Sequence, residues 1–479
     1  MGERFWNKVR KGMIGRKHSY HTVFGKQTLL YADWTASGRL YQPIEEKMAK
    51  QFGPMVANTH TESSETGAFM TKAYAEAVRR IKRHVGARAD DVFIATGTGA
   101  TGAICKWQRL LNVRYGSGDP GDKPVVFITH MEHHSNHTSW LECNVDVVVV
   151  PPDKNGKVCL RNLEAALKRY RHRSLLIGSF TACSNVTGIF TPYHQMAALM
   201  HQYNGLCFVD FAASAPYVSI DMHPEGEAER LDAIFFSPHK FLGGPGTSGV
   251  LLFDRALYGN QEPDHPGGGT VHWTNPWGEK SYIEDVEARE DGGTPGYLQV
   301  IRTALAIGLK EEMMAHGLAE RERAILSRLW EGLRRIPNVH VLDEEKKERL
   351  PIVSFYIEGL HYNFITKILS DRFGIQARGG CSCAGTYGHY LLDIEKDVSK
   401  LITDSIDTGN MALKPGWVRL SLHPTMTNKE VDTIVDALAL IGKNGERWQK
   451  EYEYDEATNE FYPPAFEKVV DWEEWFRLD

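Results

Sequence analysis

Phe235-Phe236-Ser237-Pro238-His239-Lys240-Phe241-Leu242-Gly243-Gly244-Pro245-Gly246 is the stretch on which the reading of this chain depends. An apolar run of strand character ends in Ser, His and Lys, and a glycine-rich turn follows at once. This order sets a lysine amine at the carboxyl end of a strand, beside two small polar groups. An amine held there is placed to form a Schiff base with an aldehyde. Ser237 and His239 are placed to hold an anion next to it.

Working outward, short apolar runs of the same kind recur at 92–95, 125–129, 147–150, 175–178 and 206–210; the opening run itself spans 233–236, another follows at 249–253, and a short strand is expected at 29–32. Helical patterning at 69–84, 102–112, 160–170 and 191–203 fills several of the gaps. Short apolar strands separated by helices predict an α/β fold with a mostly parallel central sheet covered on both faces. Beyond the lysine, one long helix is expected over 297–334, bridging two domains. The remainder reads as a smaller α+β domain, with strands at 352–355, leading into Arg378, and at 417–421, and helices at 361–370 and 428–442. The expected domains are 25–300 for the large unit and 1–24 with 301–442 for the small one. Residues 443–479 form an acidic, aromatic extension that packs on the domain surface or on a partner.

A chain of 479 residues is too long for one simple core. A composition of 42% hydrophobic and 24% charged residues is that of a soluble globular protein. The net charge of -6 comes with no basic, aromatic-interleaved groove, which points away from nucleic acid. No apolar run is long enough for a membrane span, and the start lacks a secretory core. These features predict a cytoplasmic protein. Seven cysteines, an odd number, favour free thiols over a disulfide framework.

Further polar residues fall at strand ends, where ligands of open parallel sheets sit. Thr96-Gly97-Thr98-Gly99-Ala100-Thr101-Gly102 offers backbone N–H groups and threonine hydroxyls at a helix start, either as a phosphate cradle or as a plain turn. Asp210 ends an apolar strand, facing a pyridine nitrogen or capping a turn. His133 lies among His130, His134 and His137; their spacing fits no common zinc pattern, and a ring that stacks on a cofactor and moves protons fits better. No metal is expected. Asn185 is a candidate donor to a cofactor oxygen, or a turn residue. Arg419 suits bidentate capture of an amino-acid carboxylate, or an interdomain ion pair. Cys381 and Cys383 sit among small residues, as an accessible loop, a redox pair or half of a metal knuckle. The cofactor that presents an aldehyde and a phosphate together is pyridoxal phosphate.

Taken together these motifs resemble the class V, fold-type I pyridoxal-phosphate enzymes of the cysteine desulfurase family, from about residue 29 to about 440. Tyr31 to Ser37, containing Ala36, resembles the family's substrate-side segment, and Asn58-Thr59-His60 its Asn-x-His element. Gly99-Ala100-Thr101 resembles the phosphate-binding turn, and Met131 to Asn136 the segment of the stacking histidine, which makes His133 the stacker. Ser184 to Gly188 and Val209-Asp210 resemble the remaining ring contacts. Ser237-Pro238-His239-Lys240 resembles the phosphate ligands and the Schiff-base lysine. Gly267-Gly268-Gly269-Thr270 resembles the stretch whose hydroxyl reaches the phosphate of the partner subunit, which implies a homodimer. Arg378 to Cys383 resembles the Arg-x-x-x-x-Cys loop, and Arg419-Leu420-Ser421 the carboxylate-binding arginine.

The resemblance implies conversion of L-cysteine to L-alanine, with Cys383 taking the sulfur as a persulfide, Lys240 moving the α-proton and a sulfur-acceptor protein downstream. Two departures stand out. Ala213 occupies the position where the family places Gln or His, three residues after the ring aspartate. Cys381 precedes Cys383 in an Arg-Gly-Gly-Cys-Ser-Cys pattern that looks more like the molybdenum-cofactor sulfurases. A lyase, aminotransferase or epimerase of the same class is the alternative, and a non-catalytic sulfur-transfer scaffold a further one.

Overall fold

The structure, a computed structural model, describes residues 2–59, 61–115, 122–463 and 470–478. Seven strands build the large sheet: β1 (Val92–Thr96), β2 (Val125–Thr129), β3 (Asp146–Val150), β4 (Leu176–Thr181), β5 (Leu206–Asp210), β6 (Ala233–Phe236) and β7 (Gly249–Phe253). Their spatial order is β1-β7-β6-β5-β4-β2-β3. Only β7 runs antiparallel to its neighbours; the pairings among β6, β5, β4, β2 and β3 are parallel. Alternation along each strand explains the continuous apolar runs. Val125, Phe127, Cys207, Val209, Ile234 and Phe236 enter one buried cluster, while Val126, Ile128, Phe208, Ala233 and Phe235 enter another on the opposite face. Both faces are dry, so both side-chain registers must be apolar.

Helices α1 (Gly2–Gly12), α2 (Glu65–His84), α3 (Gly99–Leu110), α4 (His134–Leu141), α5 (Leu160–Tyr170) and α6 (Tyr193–Gln202) precede or connect these strands. A second sheet, ordered β8-β9-β11-β10, is antiparallel throughout: β8 (Val339–Val341), β9 (Ile352–Ile357), β10 (Arg378–Gly380) and β11 (Trp417–Ser421). It has its own apolar cluster, including Val353, Phe355, Phe364, Ile368, Leu420 and Ile434. Helix α1 touches both units: Trp6 and Val9 join the large-sheet cluster, and Arg10 Nε donates to Thr425 O at 2.7 Å.

Three expectations need correction. The single helix over 297–334 is two, α7 (Tyr297–Ala315) and α8 (Leu318–Leu333). Gly317 at φ 82° lies between them; this left-handed residue ends the first helix and redirects the chain. Between β9 and β10 lies α9 (Tyr362–Phe373), and between β10 and β11 lies the short α10 (Gly385–Leu391). The final helix, α11 (Asn428–Gln449), continues seven residues past 442. Its Gly442 and Gly445 accommodate Asn338 and Leu360 instead of stopping it. The strand expected at 29–32 shrinks to Leu30–Tyr31, paired in parallel with Ile375–Gln376.

The first part of the C-terminal extension packs on its own domain. A hairpin, Glu453–Asp455 with Glu460–Tyr462, buries Phe461 against Phe364. Asn459 Nδ2 donates to the Tyr362 hydroxyl at 2.6 Å. The helical turn Trp472–Phe476 leaves Trp472, Trp475 and Phe476 exposed. No described helix is long and apolar enough to cross a membrane.

Candidate active site

The carboxyl ends of β1, β4, β5 and β6 open into one cavity of about 430 Å³. It is lined by Thr98 to Thr101, His133, Asn185, Asp210, Ser237, His239 and Lys240, with Ala36 and Arg378 from outside the large sheet. Parallel strands carry their following loops to the same edge, so residues as far apart in sequence as Thr98 and Lys240 meet there.

The anion end is built by α3 and the turn after β6. Ser237 Oγ accepts from Ala100 N–H at 2.9 Å, joining the two segments. Thr101 Oγ1 lies 2.6 Å from Ser135 Oγ, which in turn is 3.1 Å from His133 Nδ1. Ser135 thus links the start of α3 to the candidate stacking ring. The sequence reading passed over it, although it stands in the same His-His-Ser-Asn run. Strand β7 crosses so close to the turn that a Cβ on Gly249 would lie 2.1 Å from Gly99 O. Gly249→Ala must displace this backbone, at a cost of about 1–3 kcal/mol. It should weaken cofactor binding, read by visible absorbance on titrating apo-protein; unchanged affinity would show that the turn tolerates displacement.

Lys240 ends the single turn Pro238–Lys240 and is half-buried at the cavity floor. Burial lowers its pKa to about 8; Asp210 and Asp33 oppose the shift, and Arg419 and Arg378 add to it. A neutral amine is the nucleophile for an aldehyde. Covalent reconstitution of apo-protein should therefore accelerate as pH rises and level off above about 8, rather than climb toward the 10.5 of an ordinary lysine. Stopped-flow absorbance after cofactor addition checks this, and a rate still climbing at pH 10 would refute it.

Asp210 is buried at the end of β5, where desolvation raises its pKa and the Ala212 N–H (2.8 Å) and Lys240 counteract. Burial first, then Lys240 and neighbouring cations, drive His133 down to about 3, so its ring is neutral. Burial takes His239 down to about 4. Beneath His133, buried Glu132 accepts from Thr129 N–H, Thr181 N–H and Asn136 Nδ2, tying α4 to β2 and β4.

The four histidines of this region diverge. His130 Nε2 faces Gly156 O, His133 faces Ser135, His134 Nε2 faces Gly385 N and His137 Nδ1 faces Thr386 Oγ1. Among the described residues no group of three His, Cys, Asp or Glu side chains converges as a metal ion requires.

Other sequence-derived candidates sit differently than expected. Asn58 is exposed and outside the cavity wall, and His60 lies outside the described residues. Asn185 lines the cavity, and one N–H of its Nδ2 donates to Ser382 O at 2.7 Å, which ties it to the cysteine loop and leaves the second N–H for a ligand. Thr270 is buried, its hydroxyl donating to Gly267 O at 2.6 Å within its own turn. Arg419 is 2% exposed, with Nη2 on Asp33 Oδ1 at 2.7 Å and Nη1 on Asn185 O at 3.1 Å. Arg378 is the exposed guanidinium, with Nε 3.9 Å from Asp33 Oδ2. Asp33 escaped the sequence reading because its two arginine partners lie more than 340 residues away. Ala213 lines the wall and brings no donor.

Cys383 is exposed and follows Ser382, which lines the cavity. Cys381 is half-buried, and the cysteines are free thiols.

Several buried polar atoms here lack a protein partner: Thr35 Oγ1, Asn185 Oδ1, Thr247 Oγ1 and Arg419 Nε. Buried polar groups are normally satisfied, so this set suits a polar ligand. A lysine of lowered pKa, a buried aspartate, a neutral histidine ring and a helix-start anion cradle fit pyridoxal phosphate. Fold and site together define a fold-type I pyridoxal-phosphate enzyme. The chain belongs to the class V aminotransferase family, whose model matches residues 30–434.

Among curated relatives, a probable cysteine desulfurase of Halalkalibacterium halodurans is 27% identical over 360 residues, covering 74% of this chain and 84% of its own. A probable cysteine desulfurase of Halobacterium salinarum is 26% identical over 424 residues, covering 87% and 92%. Among solved structures, a cysteine desulfurase of Thermococcus onnurineus superposes with a TM-score of 0.73 at 21% identity, covering 91% of this chain and 98% of that one. At these identities the superposition speaks for the fold.

Proposed function

We propose that this chain is a cysteine desulfurase: it removes sulfur from L-cysteine, releases L-alanine and carries the sulfur as a persulfide on Cys383. The observation that carries the reading is an exposed cysteine thiol one residue beyond the wall of the Lys240 cavity. The similarity to probable cysteine desulfurases along most of the chain supports it.

Pyridoxal phosphate supplies an electron sink that makes the substrate α-proton acidic. Ala100, Thr101, Ser237 and His239 would hold its phosphate, His133 would cover its ring and Asp210 would face its ring nitrogen. Lys240 Nζ would anchor it and carry the α-proton. Arg378 meets an incoming carboxylate first, because Arg419 is buried; Arg419 engages it as Asp33 gives way. The Cys383 thiolate would attack the substrate sulfur. The carbon–sulfur bond breaks, sulfur joins Cys383 Sγ, and the former Cβ takes up a proton as alanine forms. The persulfide then passes to an acceptor protein.

A homodimer is part of this proposal. The hairpin Val271–Thr274 with Lys280–Tyr282 follows the Gly267–Thr270 turn and exposes Trp273 and Trp277. Light scattering on the purified protein checks the dimer.

Ala213, in the cavity wall, favours a second reading, another class V reaction on a different amino acid. An amino-acid screen decides between them. L-cysteine should yield equal alanine and sulfide in the presence of a thiol reductant. Turnover of another amino acid without sulfide would support the second reading.

A further inference from the structure

The Cys381–Gly385 segment is held more tightly than its small residues suggest. Ser382 and Cys383 both have left-handed backbones, at φ 52° and 56°. Side-chain-bearing residues adopt this region rarely and keep it only where the surroundings impose it. The constraints come from several directions. Asn185 Nδ2 donates to Ser382 O, Trp417 Nε1 donates to Ser382 Oγ at 3.2 Å, and Ala384 N–H donates to Cys381 O at 3.0 Å. The constraint on Cys383 itself comes from His134, at the start of α4. Its backbone N–H donates to Cys383 O at 2.8 Å, and its ring Nε2 accepts from Gly385 N–H at 3.0 Å. His137 lies one helical turn on, with Nδ1 3.2 Å from Thr386 Oγ1.

We infer that His134 is a positioning residue that clamps the chain on the carboxyl side of Cys383 at two points and so sets the placement of its thiol, through a backbone N–H and a ring nitrogen that accepts only while the imidazole is neutral. The geometry fixes the tautomer. An Nε2 that accepts a backbone N–H leaves the proton on Nδ1. Protonation places a second N–H against that of Gly385, donor against donor, and the clamp opens. The charged and titratable groups that bear on the ring are Lys414, which precedes β11, and His133 and His137 on its own side. Burial first and Lys414 second push the pKa of His134 below 6.5. The ring is therefore neutral at pH 7.5, and the clamp loosens only as pH falls below that ordinary value.

The significance of the clamp for sulfur transfer rests on Cys383 being the sulfur carrier, but its test does not require turnover. Amide hydrogen exchange of residues 382–386 is followed by mass spectrometry in the holoenzyme, corrected for the intrinsic pH dependence, with β5 and β6 as internal controls. His134→Ala should speed exchange of this segment by about tenfold at pH 7.5. His134→Gln offers an amide oxygen that accepts but does not titrate. It should keep the segment protected across a pH series falling from 7.5, whereas the wild type should loosen within the series below pH 6.5. Should the alanine variant lose its fold, β5 and β6 will exchange too, and the comparison of wild type with His134→Gln decides alone. A protected segment in a folded His134→Ala, or wild type and His134→Gln that respond alike along the pH series, overturns the inference. Sulfide release is measured on the same samples. A wild type that releases none from L-cysteine, yet shows the predicted exchange, overturns the desulfurase reading and leaves the clamp standing.

Discussion

Lys240→Ala should lower turnover of L-cysteine by about 10³-fold or more, within the range that a positioned proton-transferring group contributes. The variant loses the amine that anchors the cofactor and the base that takes the α-proton. The substitution removes a side chain that lines a cavity, so thermal stability should change little. Exchange of the substrate α-proton with deuterated solvent is the decisive measurement. It should vanish along with turnover. Retention of the exchange would assign proton transfer elsewhere, with neutral His133 the next candidate. Supplying a small external amine should restore part of the rate, because the cavity is open to solvent and the missing group is an amine.

Cys383→Ala should abolish sulfur transfer by a different route. Anchor, ring contacts and phosphate cradle all lie on other elements, so the bound cofactor's absorbance and α-proton exchange should persist. Sulfide and alanine should fall to background, and no persulfide should form on the chain. The exposed position of Cys383 makes large effects on folding unexpected. Cys381→Ala separates the two thiols. If Cys381 only neighbours the carrier, its loss leaves the persulfide level on Cys383 as in the wild type; if it receives sulfur by exchange, persulfide on Cys383 rises above the wild-type level. Undiminished sulfide release from Cys383→Ala would remove the nucleophilic role.

The sequence made most of the large unit legible because local and tertiary demands coincide there. Strands at 125–129, 206–210, 233–236 and 249–253 occupy the predicted positions. A strand buried on both faces must be apolar at every residue, and that signal survives in a single chain. The polar residues that interrupt such runs, Asp210 and Ser237 to Lys240, stand out for the same reason. The helix limits were less legible. Gly317 breaks a helix whereas Gly442 and Gly445 sit inside one, and this difference depends on their neighbours.

By itself, then, the sequence determined the α/β class and the order of the cavity-forming segments, and it singled out Lys240, Asp210, His133 and Cys383 as candidates. Their chemistry is uncommon at strand ends and readable without coordinates. Only the tertiary structure decided how these groups are engaged. It paired Arg419 with Asp33, joined one N–H of Asn185 to the cysteine loop, left Asn58 outside the cavity and closed the Thr270 hydroxyl on its own turn. It also brought His134 onto Gly385, 251 residues away. Hydrogen bonds and ion pairs of this kind depend on distances of a few ångströms between remote segments, and no local pattern of residue types encodes them.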